Sequence, residues 1–190
     1  DHKHDHDHGH DHSCDHKHDH DHGHAHPAHP HRAYRDIRAL IEGSDLSETV
    51  KRRSLAIFHR IAIAEAKIHG TTPDEIHFHE VGAIDALVDV VGVCAGLLHL
   101  GIEALVCTPP PAGHGQVRTA HGLLPLPAPA VLEIARLRAI PLASSEGFEP
   151  GELTTPTGLA LMACWANRFG VAPALQPQAV GVGLGSRSLD

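Results

Sequence analysis

The chain has 190 residues, 21 of them His, a formal net charge of −8 with His neutral, and only 3% aromatic residues. That length allows one domain plus an appendage. Residues 1–31 hold 14 of the His and seven Asp; the other 159 carry 16 acids against 13 bases, which excludes the clustered basic excess of a nucleic-acid binder. No run reaches the about 18 uninterrupted apolar residues of a membrane span. The most apolar region, Val81 to Cys107, is broken by Asp85, Asp89, His99 and Glu103. There is no signal-peptide pattern and no initiator Met, so a chain opening inside a His/Asp repeat reads as part of a longer product. The Cys residues (Cys14, Cys94, Cys107, Cys164) are far apart with no CxxC pair, which suits a reducing cytoplasm. Cys94 and Cys164 are expected in the core.

The first 31 residues alternate His with Asp, Gly or Lys and have no apolar face, so they cannot repay the entropy of ordering and read as a disordered segment. Their imidazoles are His2, His4, His6, His8, His10, His12, His16, His18, His20, His22, His24 and His26. Mostly neutral at pH 7, they offer lone pairs to nickel, zinc, copper or cobalt, and Cys14 is placed to join them. The irregular Asp interleaving differs from the uniform His run of an expression tag. Such a segment buffers or delivers an ion and does not position one for chemistry.

Residues 32–190 read as one domain. Tyr34, Ile37, Leu40 and Ile41 space a short helix ending near Gly43. Ser47 caps a longer helix with Val50, Ile57, Phe58, Ile61, Ala62 and Ile68 on one face and Gly70 as its stop. Thr72-Pro73-Asp74-Glu75 has the form of a capping box and predicts a further helical turn. Residues 83–100 predict an apolar helix buried on most sides, with Asp85, Asp89, Gly92, Gly96 and His99 stacked on one stripe. The two carboxylates would repel unless something cationic lay opposite. Ala104–Cys107 predicts a buried strand, 130–138 a helix, Ile140–Ala143 a strand, and Thr154–Gly158 the start of a helix reaching about Phe169. The fold class expected is α/β or α+β, helices layered on a small sheet, preceded by the disordered segment.

Three constellations carry chemistry. If residues 76–79 are extended, His77 and His79 project to one side, with Glu80 as a third ligand and Asp85 and Asp89 approaching from the helix start. That set fits an N/O site for a divalent ion or a His–carboxylate acid–base cluster; the bland alternative is one His at a helix cap and two Asp paired with Arg. His114 and His121 are each flanked by glycine in a proline-rich stretch, where backbone can approach a ligand. Thr154, Thr155 and Thr157 surround a helix start whose free amides and hydroxyls suit an anion or phosphate, although most such starts are only caps. The Gly181-x-Gly183-x-Gly185 run precedes no clear helix and is a weaker sign.

Three ordered segments, HFHEVGAIDALVDVVG (77–92), AHGLLPLPAPAVLE (120–133) and GELTTPTGLAL (151–161), resemble the LarC family, the nickel-insertion proteins of nickel-pincer nucleotide synthesis. The His-rich tract before them is similar to that family too. The resemblance implies a cytoplasmic protein that inserts nickel into pyridinium-3,5-bisthiocarboxylic acid mononucleotide. It implies use of CTP with manganese or magnesium, formation of a nickel–carbon bond, and a product that serves lactate racemase and related enzymes. It further implies that residues 32–190 correspond to the middle of the family's proteins, with CTP bound in a C-terminal domain beyond Asp190. A homo-oligomer is expected. On this reading His77, His79 and Glu80 are the catalytic and nickel-holding set, and Asp85 and Asp89 orient it or bind the divalent ion. Thr154, Thr155, Thr157, His114 and His121 contact the substrate. The rival reading is a nickel store or metallochaperone without catalysis; a metal-dependent hydrolase lacks any recognised spacing.

Overall fold

The computed structural model describes residues 32–78, 84–119 and 122–183. The His/Asp segment 1–31, with its metal-ligand assignments, lies outside the described residues, as do His79, Glu80 and His121.

The fold is built round one long helix. β1 (Arg32–Ala33) leads into α1 (Tyr34–Glu42), and α2 follows over Glu48–His69. Ser47 Oγ accepts the Val50 amide at 3.4 Å to start α2. Gly70, at φ 66°, stops it in a left-handed conformation that costs a residue without Cβ nothing. Between these signals every third or fourth residue is apolar, and Ile57, Phe58, Ile61 and Ala62 are fully buried. Burying each of the larger three stabilises the fold by about 1.5–3 kcal/mol. A single 3₁₀ turn, Pro73–Glu75, replaces the expected α-helical turn. Thr71 and Thr72 donate their hydroxyls to the Glu75 carboxylate instead of capping backbone. β2 (His77–Phe78) pairs antiparallel with β1.

α3 (Ile84–His99) forms where it is expected, but its burial is one-sided. Ala86, Val90 and Cys94 enter the core against α2, whereas Ile84 and Val88 are 62% and 63% exposed. Among the described residues no second layer covers that outer side. β3 (Val106–Cys107) follows. It is a partly exposed edge rather than the buried strand expected, with Val106 41% exposed. β4 (Gln116–Thr119) and β5 (Gly122–Pro125) form an antiparallel hairpin that the proline-rich sequence hid. α4 (Pro129–Arg138) and α5 (Pro156–Trp165) pack on each other and on α2.

Two expected elements are corrected. Ile140–Ala143 is no strand: it makes one parallel bridge, Pro111 to Ala143. Pro141 on one side and Pro109 to Pro111 on the other lack the amides a ladder needs. The last helix stops at Trp165, short of Phe169. Asn167 exchanges bonds with Leu105, amide to carbonyl at 2.9 Å and side-chain oxygen from amide at 2.8 Å. That pulls Arg168–Phe169 out as β6, parallel to β3, a tertiary pairing that overrides helix propensity. Of the cysteines, Cys94 is buried as expected, and Cys164 is only partly so. Among the described residues the architecture is thus five helices with three two-stranded ribbons, a mixed α/β arrangement.

Candidate metal and nucleotide site

A cavity of about 380 Å³ opens where the end of α2, β2, the start of α3, β5 and the start of α5 meet. Its ionisable lining is Glu65, His69, His77, Asp85, Asp89 and Glu152; Thr155 and Thr157 close one side, and Phe78, Leu124 and Ala128 are among its apolar residues. The reason for this convergence is local. The αL stop at Gly70 ends α2 with His69 at its last residue, and the β1–β2 pairing holds His77 at the same cavity. Asp85 and Asp89 lie one turn apart on the side of α3 next to its core face.

Electrostatically the cavity is one-signed. Four carboxylates face it, and among the described residues no Lys or Arg lines it. No described salt bridge reaches Asp85 or Asp89, so the Arg-paired reading of these acids finds no support among the described residues. Asp85 Oδ1 accepts the Ala86 amide at 2.8 Å. His69 Nε2 lies 3.6 Å from Glu65 Oε2, both side chains partly buried. Elsewhere on α2, Lys67 is engaged with Glu133 at 2.8 Å, with Arg136 forking the same carboxylate at 2.7 and 2.9 Å. Those donors hold the Glu133 carboxyl down at about 2.

At the α5 start, Thr155 Oγ1 accepts the Gly158 amide at 3.1 Å. Pro156 has no amide, so the Thr157 N–H is the first donor of the helix without an acceptor inside it. A helix of ten residues presents its positive end there, suited to an anionic oxygen.

The site residues read from sequence divide accordingly. His77, Asp85, Asp89, Thr155 and Thr157 share the cavity. Among the described residues no three His, Cys, Asp or Glu side chains gather closely enough to hold an ion by themselves. Thr154 is not in the lining: it is 8% exposed, and its hydroxyl donates to the Pro111 carbonyl at 2.6 Å, a structural tie. His114 also lies elsewhere, its Nδ1 3.4 Å from Ser145 Oγ and its carbonyl accepting the Gly151 amide. Both bonds brace neighbouring loops. Glu65, His69 and Glu152 were missed. The first two are an i,i+4 pair immediately before the Gly70 stop, a signal present in the sequence.

The cavity thus brings carboxylates and imidazoles, with no Lys or Arg in its described lining, next to a helix start whose amides suit an anionic oxygen. The model of the nickel insertion protein family matches residues 3–190, and the chain belongs to that family. It is 49% identical over 157 residues to the pyridinium-3,5-bisthiocarboxylic acid mononucleotide nickel insertion protein of a Nocardioides species, covering 83% of this chain and 39% of that protein. The protein of the same name from Geobacillus kaustophilus is 48% identical over 161 residues, 85% of this chain and 38% of its own length. A Synechococcus elongatus protein provisionally named for nickel insertion is 51% identical over 85% of this chain and 40% of its own. The chain thus spans about two fifths of the length of these relatives. No solved structure shows a significant match.

Proposed function

We propose that this chain supplies the metal- and nucleotide-handling cavity of a protein that inserts nickel(II) into pyridinium-3,5-bisthiocarboxylic acid mononucleotide, the compound in its relatives' names. The observation that carries the reading is the union, in one cavity, of an acid- and imidazole-lined end with a helix N-terminus. At about 380 Å³ the cavity falls in the range of small-molecule sites. His77, together with His79 and Glu80, holds nickel over the pyridinium ring. Asp85 and Asp89 orient these ligands or carry a companion divalent ion, offsetting the negative charge that an anionic nucleotide brings. Thr155 and Thr157 hold the phosphate. The His-rich segment gathers nickel and hands it on. The CTP implied by the resemblance takes no residue of this chain in this reading.

The test is His77→Ala with His79→Ala in the full-length protein, assayed for cofactor formation at saturating nickel. Loss of turnover is expected, and undiminished turnover would remove the proposal. Deleting residues 1–26 should slow the reaction only when nickel is scarce. A nickel store, which the His-rich segment favours, instead predicts many nickel ions per chain and no nucleotide binding.

A further inference from the structure

Joining nickel(II) to a ring carbon breaks a C–H bond. The electron pair of that bond becomes the carbon–nickel bond, and a proton leaves with no change of oxidation state. The proton needs an acceptor whose lone pair is not already given to nickel. In its ordinary range a carboxylate is a weaker base than an imidazole by about two to three pH units. Two described imidazoles line the cavity, His69 and His77, and their settings differ.

His69 ends α2, where the carbonyl end of a helix favours a positive charge. Glu65, one turn earlier, places a carboxylate oxygen 3.6 Å from its Nε2. That is too long for a hydrogen bond, and such pairs tighten when a reacting complex forms. His77 sits instead on a two-residue strand, and no described salt bridge involves it. The geometry points to His69, steadied by Glu65, as the group that takes the ring-carbon proton, leaving His77 to the metal. This rests on nickel insertion occurring in this cavity.

The experiment uses full-length protein and substrate deuterated at the metallated carbon, with His69→Ala, His69→Gln, Glu65→Gln and, as a reference, His77→Ala. Nickel and nucleotide binding are measured separately by equilibrium titration. The expected result is a 10²- to 10⁴-fold fall in kcat for both His69 variants, the usual worth of a general base. Binding stays within about twofold, the deuterium isotope effect grows, and free imidazole partly restores His69→Ala. Glu65→Gln should fall less, by about tenfold, because the acceptor itself remains. Normal turnover and an unchanged isotope effect in His69→Ala would overturn the assignment, as would a loss explained wholly by weaker binding. If His77→Ala leaves turnover intact, the cavity reading itself fails. If His77→Ala abolishes turnover while His69→Ala does not, only the proton assignment falls.

Discussion

Gly113→Ala tests whether a loop outside the cavity sets the cavity's shape. Gly113 holds φ at +77°, and a Cβ there would stand 2.7 Å from the Gly151 carbonyl oxygen and 3.1 Å from the Leu153 amide nitrogen. Neither neighbour is a flexible side-chain end, so the backbone must part. A left-handed conformation costs an L-residue about 1–2 kcal/mol. Loss of the 2.8 Å bond from the Gly151 amide to the His114 carbonyl adds about 1 kcal/mol. The sum, about 2–3 kcal/mol, lowers Tm by about 4–12 °C for a chain of this size. The displaced segment runs directly into Glu152 and Thr155, so mononucleotide affinity should drop about three- to tenfold. Differential scanning calorimetry and isothermal titration measure the two effects. Gly92→Ala and Gly96→Ala are the controls: a Cβ at either helical position meets nothing within 4 Å. Each should stabilise α3 by about 0.5–1 kcal/mol. A Gly113→Ala protein that melts and binds like the wild type would refute the reasoning.

Asp85→Asn with Asp89→Asn removes a like-charge i,i+4 pair and should raise stability by about 0.2–0.5 kcal/mol at low salt while weakening nickel retention, read by thermal melts and metal titration. Glu133→Gln tests the ion-paired carboxyl held at about 2 by Arg136 and Lys67. Because the folded value is depressed, its stabilisation is fully present above the ordinary carboxyl range near 4.3 and is lost as pH falls toward 2. The variant should be less stable at pH 7, and its stability should vary less between about pH 4.5 and 2, followed by urea unfolding across that interval. Thr155→Ala removes the α5 cap and should cost about 1 kcal/mol together with phosphate affinity; Thr155→Ser should keep both.

The elements legible in the sequence are those with local punctuation. Ser47 and Gly70 bracket α2, and Pro129 and Pro156 open α4 and α5 at their first turns. Where a distant partner decides, local signals misled: Asn167 prefers Leu105 to another helical turn, and the β4–β5 hairpin forms despite its flanking prolines. The site shows the same division. Asp85, Asp89 and His77, which share the cavity, stand out in the sequence because ligand-type residues cluster there. Glu152 does not, since its place at the cavity depends on how the loop before α5 packs. Thr154 and Thr155 are adjacent and chemically identical. Only the fold sends one hydroxyl to Pro111 and leaves the other at the cavity.

The long helix α2 touches every other helix, and the centre of its inner face, around Ile57 to Ile61, has no contact with water. Its amides there should exchange hydrogen only when the whole domain opens, whereas the first turn of α3, bare on its outer side, should exchange far sooner. Glu65 and His69 thus stand near the end of a helix anchored at its buried centre, and Asp85 and Asp89 on the first two turns of a helix bare on its outer side. A ligand entering the chamber should leave the amides at the centre of α2 as they are and slow exchange along the first turns of α3.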